Sequence, residues 1–355
     1  MMNNLYTTYT MLEAVKNIVP LKTFIKDRYF PDSASEVFPT EEVIIDFKDG
    51  HRKMAPYVLP RKKGITIERE GFRTERYKPP YIAPQRRLTY DDLNRRMLGE
   101  QLFSSLTPEE RQTDMLGEDL LEMTEMIQRR EEWQAMQVLL HSGVVMQHYA
   151  NKYGSSEFQE FELRFYDGPS NPNIFTVATP WDQVGADIFL DLHTMVSKIS
   201  QFGLPATDLI VSPDVMSEML KNDEVYKMLD NRRVELGNVA PTELPDGVGC
   251  MGTINAYGRV LNLFTYDEQF YNDLTDQFET LMPQGTVILA SPALGRPIYG
   301  AVTQVEEDGQ FHSYAEKIVP KYLSNAQDDV RELKLTTRPV FVPNNTKSWL
   351  TSKVI

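Results

Sequence analysis

Pairs of acidic side chains are the most frequent groups in this 355-residue chain that could do chemistry. Such pairs stand at Asp91-Asp92, Glu306-Glu307-Asp308 and Asp328-Asp329. Glycoside cleavage needs two carboxylates, one as the acid and one as base or nucleophile. However, a chain with 51 Asp and Glu residues always offers such pairs, and no aromatic sugar platform stands beside these. The sequence therefore favours solvated acidic faces, and a soluble acidic hydrolase remains the alternative.

A glycine pattern at Gly247-Val-Gly-Cys-Met-Gly252 matches the Gly-x-Gly-x-x-Gly of dinucleotide-binding folds. That pattern needs a strand before it and a helix after it, because the phosphates bind at the helix N-terminus. Here Pro241, Pro245 and Asp246 precede the pattern, and strand-like sequence follows it. We interpret it as a glycine-rich loop and predict no cofactor.

The metal-binding and nucleophilic residue types are sparse. The five histidines are scattered, and the single cysteine, Cys250, has no identifiable partner. One cysteine cannot form a thiolate zinc site or an internal disulfide, and it fits a reducing compartment. Neither a Gly-x-Ser-x-Gly elbow nor a Walker loop is present. We predict no catalytic, cofactor-binding or metal-binding residues, and hence a structural or binding role.

The start of the chain lacks the basic and apolar regions of a signal peptide. No apolar run approaches the ~18–20 residues of a membrane span. Apolar residues make up 41% of the sequence, which is enough for a sizeable core. We therefore predict a folded protein without a membrane partner.

Charge is distributed unevenly along the chain. Residues 48–96 hold 14 Lys and Arg against 6 Asp and Glu, a net charge of +8, so the remainder carries −22. A basic arm on an acidic body can bind the phosphates of a nucleic acid. It can equally bind the acidic body of a neighbouring copy of the same chain.

This basic arm is bracketed by two proline motifs, Met54–Pro60 and Tyr77–Pro84. Between them, Ile65 and Ile67 alternate with polar residues as in a strand. Almost nothing in the arm could form a core. The sequence therefore predicts a segment that is either disordered or packed on another molecule.

One long helix is predicted from Thr107 to His141. Thr107, Pro108 and Glu110 form a capping box with proline at the first helical position. Leu116, Leu120, Met123 and Ile127 form one apolar stripe, and we expect charged residues including Glu132 to face solvent. Gly143 is expected to follow the helix end.

The rest of the chain mixes helices and strands. We predict a hairpin that pairs 158–166 with 174–178, a helix that begins at Thr179-Pro180 and continues past Ile199, and short helices opening at Ser212 and Asn222. Predicted strands are Leu209–Val211, Val260–Phe264, Val287–Ala290, Ile298–Val305 and Val330–Val342. This order is α+β rather than a regular βαβ series.

Taken in order, these segments resemble the lambda-type major capsid protein E family of tailed phages. The motifs that carry the resemblance are Tyr6-Thr-Thr8, Met54-Ala-Pro-Tyr-Val58, Tyr77-Lys-Pro-Pro-Tyr-Ile82, Arg96-Met-Leu-Gly-Glu100, Thr179-Pro-Trp181 with Ala186-Asp-Ile188, Leu209-Ile-Val-Ser-Pro213, and Val225-Tyr-Lys-Met-Leu-Asp-Asn-Arg-Arg233. Each piece is weak alone, but their shared order is specific. The end segment Pro343-Asn-Asn-Thr346 departs from the pattern.

The resemblance implies the tailed-phage capsid fold, with an arm, an extended loop, a peripheral domain with a long spine helix, and an axial domain. The corresponding boundaries are 1–45 for the N-terminal arm, 46–90 for the extended loop, 91–203 for the peripheral domain, 204–316 for the axial domain, and 317–355 for a return strand and tail.

The resemblance also implies a function without catalysis. Copies would form hexamers and pentamers in an icosahedral or prolate shell of the virion, assembled in the host cytoplasm around DNA without sequence-specific contact. Scaffold, portal and decoration proteins would be further partners. We predict intersubunit contacts at Lys62, Lys63, Arg73, Arg86 and Arg87, with a nucleic-acid-binding module as a second alternative.

Overall fold

A computed structural model of the protein gives the positions of most of the chain. It describes residues 7–19, 21–32, 37–40, 42–47, 73–95, 107–149, 158–222, 225, 244–245, 247–306, 309–325 and 330–355. The predicted strand around Ile65 and Ile67, the Met54–Pro60 motif and the short helix opening at Asn222 lie mostly or wholly outside these residues.

Helices and strands alternate irregularly, as expected for an α+β fold. The helices are α1 (Thr8–Asn17), α2 (Ile25–Tyr29), α3 (Tyr90–Asn94), α4 (Pro108–His141), α5 (Ile188–Gln201) and α6 (Pro213–Lys221). The strands are β1 (Val37–Phe38), β2 (Val43–Phe47), β3 (Arg73–Tyr77), β4 (Gln85–Thr89), β5 (Gly143–Tyr149), β6 (Phe158–Arg164), β7 (Ile174–Thr176), β8 (Asp208–Val211), β9 (Val248–Ala256), β10 (Arg259–Tyr266), β11 (Gln269–Asn272), β12 (Gln277–Thr280), β13 (Thr286–Ala290), β14 (Gly295–Gly300), β15 (Val302–Val305), β16 (Phe311–Tyr314), β17 (Val319–Asn325), β18 (Val330–Thr336), β19 (Pro339–Pro343) and β20 (Leu350–Lys353).

The long helix α4 begins and ends where the sequence predicts. The Thr107 side chain accepts from the Glu110 amide, and the Glu110 carboxylate accepts from the Thr107 amide, which closes the capping box. Ser142 ends the helix in the left-handed conformation, with φ of 52°. At about 1.5 Å per residue, its 34 residues span about 50 Å.

Helix α4 is shared by two hydrophobic cores. Its first half packs with α1, β17 and β18 in an arm core that includes Met11, Met123 and Leu335. Its second half packs into a central core that includes Leu139 and Phe30. The helix therefore ties the N-terminal segment to the body of the molecule.

A six-stranded mixed sheet in the order β7-β20-β13-β8-β10-β9 is the largest sheet among the described residues. Its central strand β8 is buried at every position. Ile210 faces the central core, whereas Leu209 and Val211 face a third core, the sheet core, formed with α5 and α6. Burial on both faces explains why the strand is a continuous apolar run.

The sheet core draws on residues outside the predicted axial segment 204–316. Helix α5 and Phe175 of β7 precede that segment, and Leu350 of β20 follows it, yet all contribute to this core. The boundaries at 203 and 316 stay predictions. The arrangement of the cores indicates that 174–201 and 350–354 pack with the axial segment.

The predicted hairpin of 158–166 with 174–178 is wrong. Strand β6 pairs instead with β5, which follows α4 directly, and β7 pairs in parallel with β20. Gly143 permits this close pairing, because a Cβ there would lie 2.3 Å from the Leu163 carbonyl oxygen. The turn at 167–173 is present, but it leads the chain to a different sheet.

The predicted start of α5 at Thr179-Pro180 is also wrong. The helix begins after Asp187, whose side chain accepts from the Leu190 amide. Trp181 lies before the helix. Its amide donates to the Val354 carbonyl, and its indole donates to Asp191. The Thr-Pro motif thus precedes the helix as an irregular segment.

Two predicted long strands are each divided. Val330–Val342 becomes β18 and β19, because Thr337 exchanges backbone hydrogen bonds with Ile82 and turns the chain towards another sheet. Ile298–Val305 is divided at Ala301 into β14 and β15, which belong to different sheets. Alternation of apolar residues alone does not reveal such a change of partner.

Strand β2, which spans the predicted start of the extended loop at residue 46, lies beside β3, which is within the predicted loop of 46–90. Strands β2 and β3 pair antiparallel, with Val43 opposite Tyr77 and Phe47 opposite Arg73. Their buried side chains join the central core. Phe47 and Arg73 therefore lie opposite each other at the end of this strand pair.

Candidate functional site

The described residues contain no group of three or more His, Cys, Asp or Glu side chains placed to hold a metal ion. Within the same part of the chain, no helix is long and apolar enough to cross a membrane. The glycine pattern lies mostly in β9, an edge strand of the six-stranded sheet, rather than in a loop. Because no helix N-terminus follows it, this arrangement does not offer a phosphate site.

The basic residues predicted to contact a neighbour divide into two groups. Lys62 and Lys63 lie outside the described residues. The structure places Arg73, Arg86 and Arg87 in separate ion pairs within their own chain. It therefore does not bring the three arginines together in one cluster.

Arg86 forms the most elaborate of these ion pairs. Its guanidinium donates to Asp119, at 2.6 Å, and to Glu122, both on α4. These contacts fasten the end of the extended loop to the long helix. The two carboxylates raise the pKa of Arg86, although burial opposes them.

Arg73 lies in β3 and Arg87 in β4, both within the predicted extended loop. Arg73 binds Asp167 and Glu75. Arg87 donates to Glu332, at 2.6 Å, across the β4–β18 pair, and its side chain is still 72% exposed. Of the three, Arg87 therefore has the most surface left for a partner.

A buried polar junction, which sequence reasoning did not find, joins the N-terminal segment to the rest of the molecule. Glu132 of α4 was expected to face solvent, but it is buried and accepts from the amides of Ile25 and Lys26, both at 2.8 Å. The Tyr266 hydroxyl donates to the same carboxylate at 3.0 Å. Next to it, the ammonium of Lys26 pairs with Glu131 at 2.6 Å.

The same segment reaches the six-stranded sheet through Asp208. The Arg28 guanidinium donates to this carboxylate at 2.6 Å and the Tyr29 hydroxyl at 3.2 Å. Asn262 donates from β10 at 2.8 Å. Residues 25–29 thus contact carboxylates of both the long helix and the sheet, which fixes the two relative to each other.

Burial and pairing compete at this junction. Burial raises the pKa of Glu132, against the effect of its hydrogen bonds. Burial alone would lower the pKa of Lys26, but the charge and hydrogen bond of Glu131 raise it. Burial and the charge of Asp208 raise the pKa of Tyr29 well above its usual value. Buried polar groups that have hydrogen-bond partners make the structure around them rigid.

Several β-hairpins in the described part of the chain present apolar side chains to solvent. Tyr271 and Phe278 face each other across β11 and β12, and Phe278 is 72% exposed. Val305 and Phe311 pair across β15 and β16, and Phe311 is 77% exposed. The β5–β6 hairpin exposes Phe161 in the same way. Contiguous exposed apolar patches mark surfaces that contact another protein, and the two cross-strand pairs each bring exposed apolar side chains together.

Acidification is expected to destabilise the β5–β6 hairpin through His148. Its ring lies 4.7 Å from that of Phe161, and burial and the charge of Lys78 lower its pKa. The unfolded chain binds a proton below about pH 6.5, whereas the folded protein keeps the imidazole neutral. This contribution to stability is therefore present above that pH and is lost as the pH falls through the folded pKa.

Thermal unfolding between about pH 7.5 and 5 checks this expectation. The stability advantage of the wild type over His148→Gln should shrink as the pH falls. His312→Gln, in the exposed strand β16, is the matched control. A difference between wild type and His148→Gln that stays constant with pH would contradict the assignment.

The comparisons with known proteins agree on one family. The family described as phage major capsid protein E matches residues 7–354. The chain is 22% identical over 343 residues to the major capsid protein of Enterobacteria phage P21, which covers 94% of each chain, and equally to the P21 prophage-derived major head protein of Escherichia coli O6:H1.

A solved structure shows the same fold. The crystal structure of the putative capsid protein of a prophage from E. coli CFT073 superposes with a TM-score of 0.66 at 16% identity, and the match covers 100% of both chains. The fold is that of tailed-phage capsid proteins, as the sequence motifs suggest. The chain belongs to the phage major capsid protein E family.

Proposed function

We propose that this protein is the shell-forming subunit of a tailed double-stranded DNA phage and that it acts without catalysis. The observation that carries the proposal is the family match over residues 7–354. Copies would associate through heterologous contacts that close into hexamers and pentamers. Assembly would occur in the host cytoplasm, with scaffold, portal and decoration proteins as further partners, and the product would be the capsid of the virion.

The extended loop is the part of the chain that we assign to a neighbouring copy. Strands β2 and β3 pair, so Phe47 and Arg73, which flank residues 48–72 in the sequence, lie opposite each other. The loop region is basic, and the remainder of the chain is acidic. Exposed ion pairs contribute only about 0–1 kcal/mol each. The charges would therefore orient neighbouring subunits, and apolar contacts would supply most of the affinity.

Five basic residues are assigned to this contact. The proposal depends mainly on three of them, Lys62, Lys63 and Arg87. Arg73 and Arg86 already pair with carboxylates of their own chain. Less of their charge would therefore be available to a neighbouring subunit. The acidic remainder of the protein would weaken its attraction to packaged DNA. This fits a genome held without sequence-specific contact.

The decisive experiment examines the purified full-length protein by analytical sedimentation and electron microscopy. Rings or closed shells are the expected result. A stable monomer with enzymatic turnover would contradict the proposal. DNA binding whose affinity falls steeply with salt, in the absence of any assembly, would instead favour a nucleic-acid-binding module.

Charge reversal in the loop is expected to impair assembly without unfolding the subunit. If each reversed charge in Lys62→Glu/Lys63→Glu loses about 0.7 kcal/mol, the concentration needed for assembly rises about tenfold per contact. Sedimentation as a function of concentration measures this change. Lys353→Glu, at an exposed position of β20, is the matched control.

Arg73→Glu belongs in a separate variant, because it also breaks the ion pairs with Asp167 and Glu75. If the double lysine variant assembles at the wild-type concentration, the loop charges do not orient neighbouring subunits.

A further inference from the structure

A cleft of about 350 Å³ lies beside the end of the extended loop. One wall is formed by residues 78–81, which follow β3. The opposite wall comes from the β5–β6 hairpin, including Met146 and Phe161, and the cleft is completed by Thr303 and Arg338. Four separate parts of the chain therefore meet around it.

The cleft is cationic in a chain whose overall charge is −14. Lys78 and Arg338 line it, and none of the lining residues that the structure describes is acidic. The ammonium of Lys334 lies 5.2 Å from the centre of the Tyr81 ring. The surroundings thus concentrate positive charge where the protein as a whole is negative.

The pKa of the Tyr81 phenol is lowered by the same positive charge. Burial would raise its pKa, but hydrogen bonds from Lys334 and Thr336, together with the charges of Lys334 and Arg338, lower it. A depressed phenol pKa is expected where positive charge favours an anion. The geometry and the electrostatics therefore agree.

The rim of the cleft is apolar and partly exposed. Tyr81 and Phe161 line it and are 47% and 40% exposed. Thr303, which lines the cleft, lies on the same face of the β15–β16 hairpin as the exposed pair of Val305 and Phe311. Arg beside aromatic side chains is a composition found at the energetic centre of protein interfaces, and Lys78 adds a second positive charge to it.

We propose that this cleft receives a carboxylate side chain from a neighbouring copy of the chain, with apolar residues beside that carboxylate covering the aromatic rim. This inference rests on the proposed shell-forming function, and it adds a contact centred on Lys78, which lies outside the five basic residues assigned above.

Charge and size favour a second copy over other anions. The chain outside residues 48–96 carries a net −22, so every neighbouring subunit presents many carboxylates. Ammonium and guanidinium groups form their strongest hydrogen bonds with carboxylates and phosphates. A cleft at the small end of the range for ligand pockets fits one side chain, whereas a DNA duplex would need an open surface that follows its backbone.

Zero-length cross-linking tests the contact in the intact assembly. Shells are assembled from an equal mixture of ordinary and ¹⁵N-labelled full-length protein and treated with a water-soluble carbodiimide, which joins an amine to a touching carboxylate with loss of water. The expected product is a Lys78 peptide joined to an acidic peptide of the other isotope, present in shells and absent from unassembled protein.

Other cross-linking results would overturn the inference. Cross-links from Lys78 that join only peptides of one isotope would place the carboxylate in the same chain. Shells without any Lys78 cross-link would leave the cleft without a carboxylate partner. Photochemical cross-linking of DNA to residues 78–81 in filled heads would assign the cleft to phosphate.

A charge reversal gives an independent measurement. Lys78 is exposed, so Lys78→Glu should fold normally by circular dichroism while raising the concentration needed for assembly at least about tenfold. Lys78→Arg and the control Lys353→Glu should stay within about twofold of wild type. If wild-type protein forms shells and Lys78→Glu assembles equally well, this inference fails alone. If wild-type protein forms no shells, the proposed function fails.

Discussion

Replacing Glu132 with leucine is expected to lower the free energy of unfolding by about 3–5 kcal/mol. The carboxylate accepts from two backbone amides at the start of α2 and from the Tyr266 hydroxyl. Leucine would leave three buried donors without that acceptor, and each such group costs about 1–3 kcal/mol. Local relaxation would recover part of the sum. Chemical denaturation of the two proteins measures the difference.

Two control variants distinguish the loss of the buried hydrogen bonds of Glu132 from a general effect of removing a negative charge. Glu132→Gln keeps one acceptor oxygen and should lose less than Glu132→Leu. Glu118→Gln changes an exposed position of the same helix and should leave stability almost unchanged. Hydrogen exchange should become faster at residues 25–29 in Glu132→Leu. If exchange there matches wild type, the carboxylate does not hold this segment.

Trp349→Ala is the second substitution with a large expected effect. The side chain is fully buried in the central core, and its indole donates to the Leu139 carbonyl at the end of α4, at 2.9 Å. Removing a buried tryptophan typically lowers the free energy of unfolding by about 3–5 kcal/mol. The loss should also weaken the attachment of β20, which follows directly, so proteolysis near residues 350–353 should become faster.

The controls for Trp349 distinguish volume from hydrogen bonding. Trp349→Phe keeps most of the apolar volume and loses the indole donor. The Leu139 carbonyl still accepts from the Thr351 hydroxyl at 2.7 Å, so this loss should cost only about 0.5–1.5 kcal/mol. Trp133→Ala removes a tryptophan that is only partly buried and should destabilise less than Trp349→Ala. An equal loss for both alanine variants would show that burial at position 349 is not the cause.

Local signals in the sequence were sufficient for some elements and insufficient for others. Helix α4 could be predicted to within a residue, because Thr107, Pro108 and Glu110 act on neighbouring backbone groups. Strand β8 could be found from its apolar run. The partner of β6 could not, since it depends on the close approach that Gly143 allows and on which strand is nearest in the fold.

The polar junction shows why buried charges are missed. When the helical periodicity of the first half of α4 is continued to Glu132, this residue falls on the charged face that we expected to contact solvent. The residues after it, from Gln134 to Leu140, are almost all buried, so the helix is enclosed on more sides there. Two adjacent carboxylates directly before such a stretch were the available signal.

The predicted contact residues illustrate a different limit. The charge of the loop could be read from composition, but Arg87 pairs with a residue 245 positions later, which composition cannot reveal. Lys78 was part of a recognised motif, yet the cleft beside it needs Phe161 and Arg338 from distant parts of the chain.

The place of β20 in the six-stranded sheet has a consequence for the timing of synthesis. Strand β20 lies between β7 and β13, so residues 174–176 lack their partner strand until residues 350–353 have been made. A ribosome that adds about 5–20 residues per second needs about 10–35 s for that interval. The nascent chain therefore carries an incomplete sheet during about half of the synthesis of these 355 residues. Surfaces that depend on the finished sheet cannot engage other copies before residues 350–353 have been made, which favours assembly from subunits whose sheet is complete.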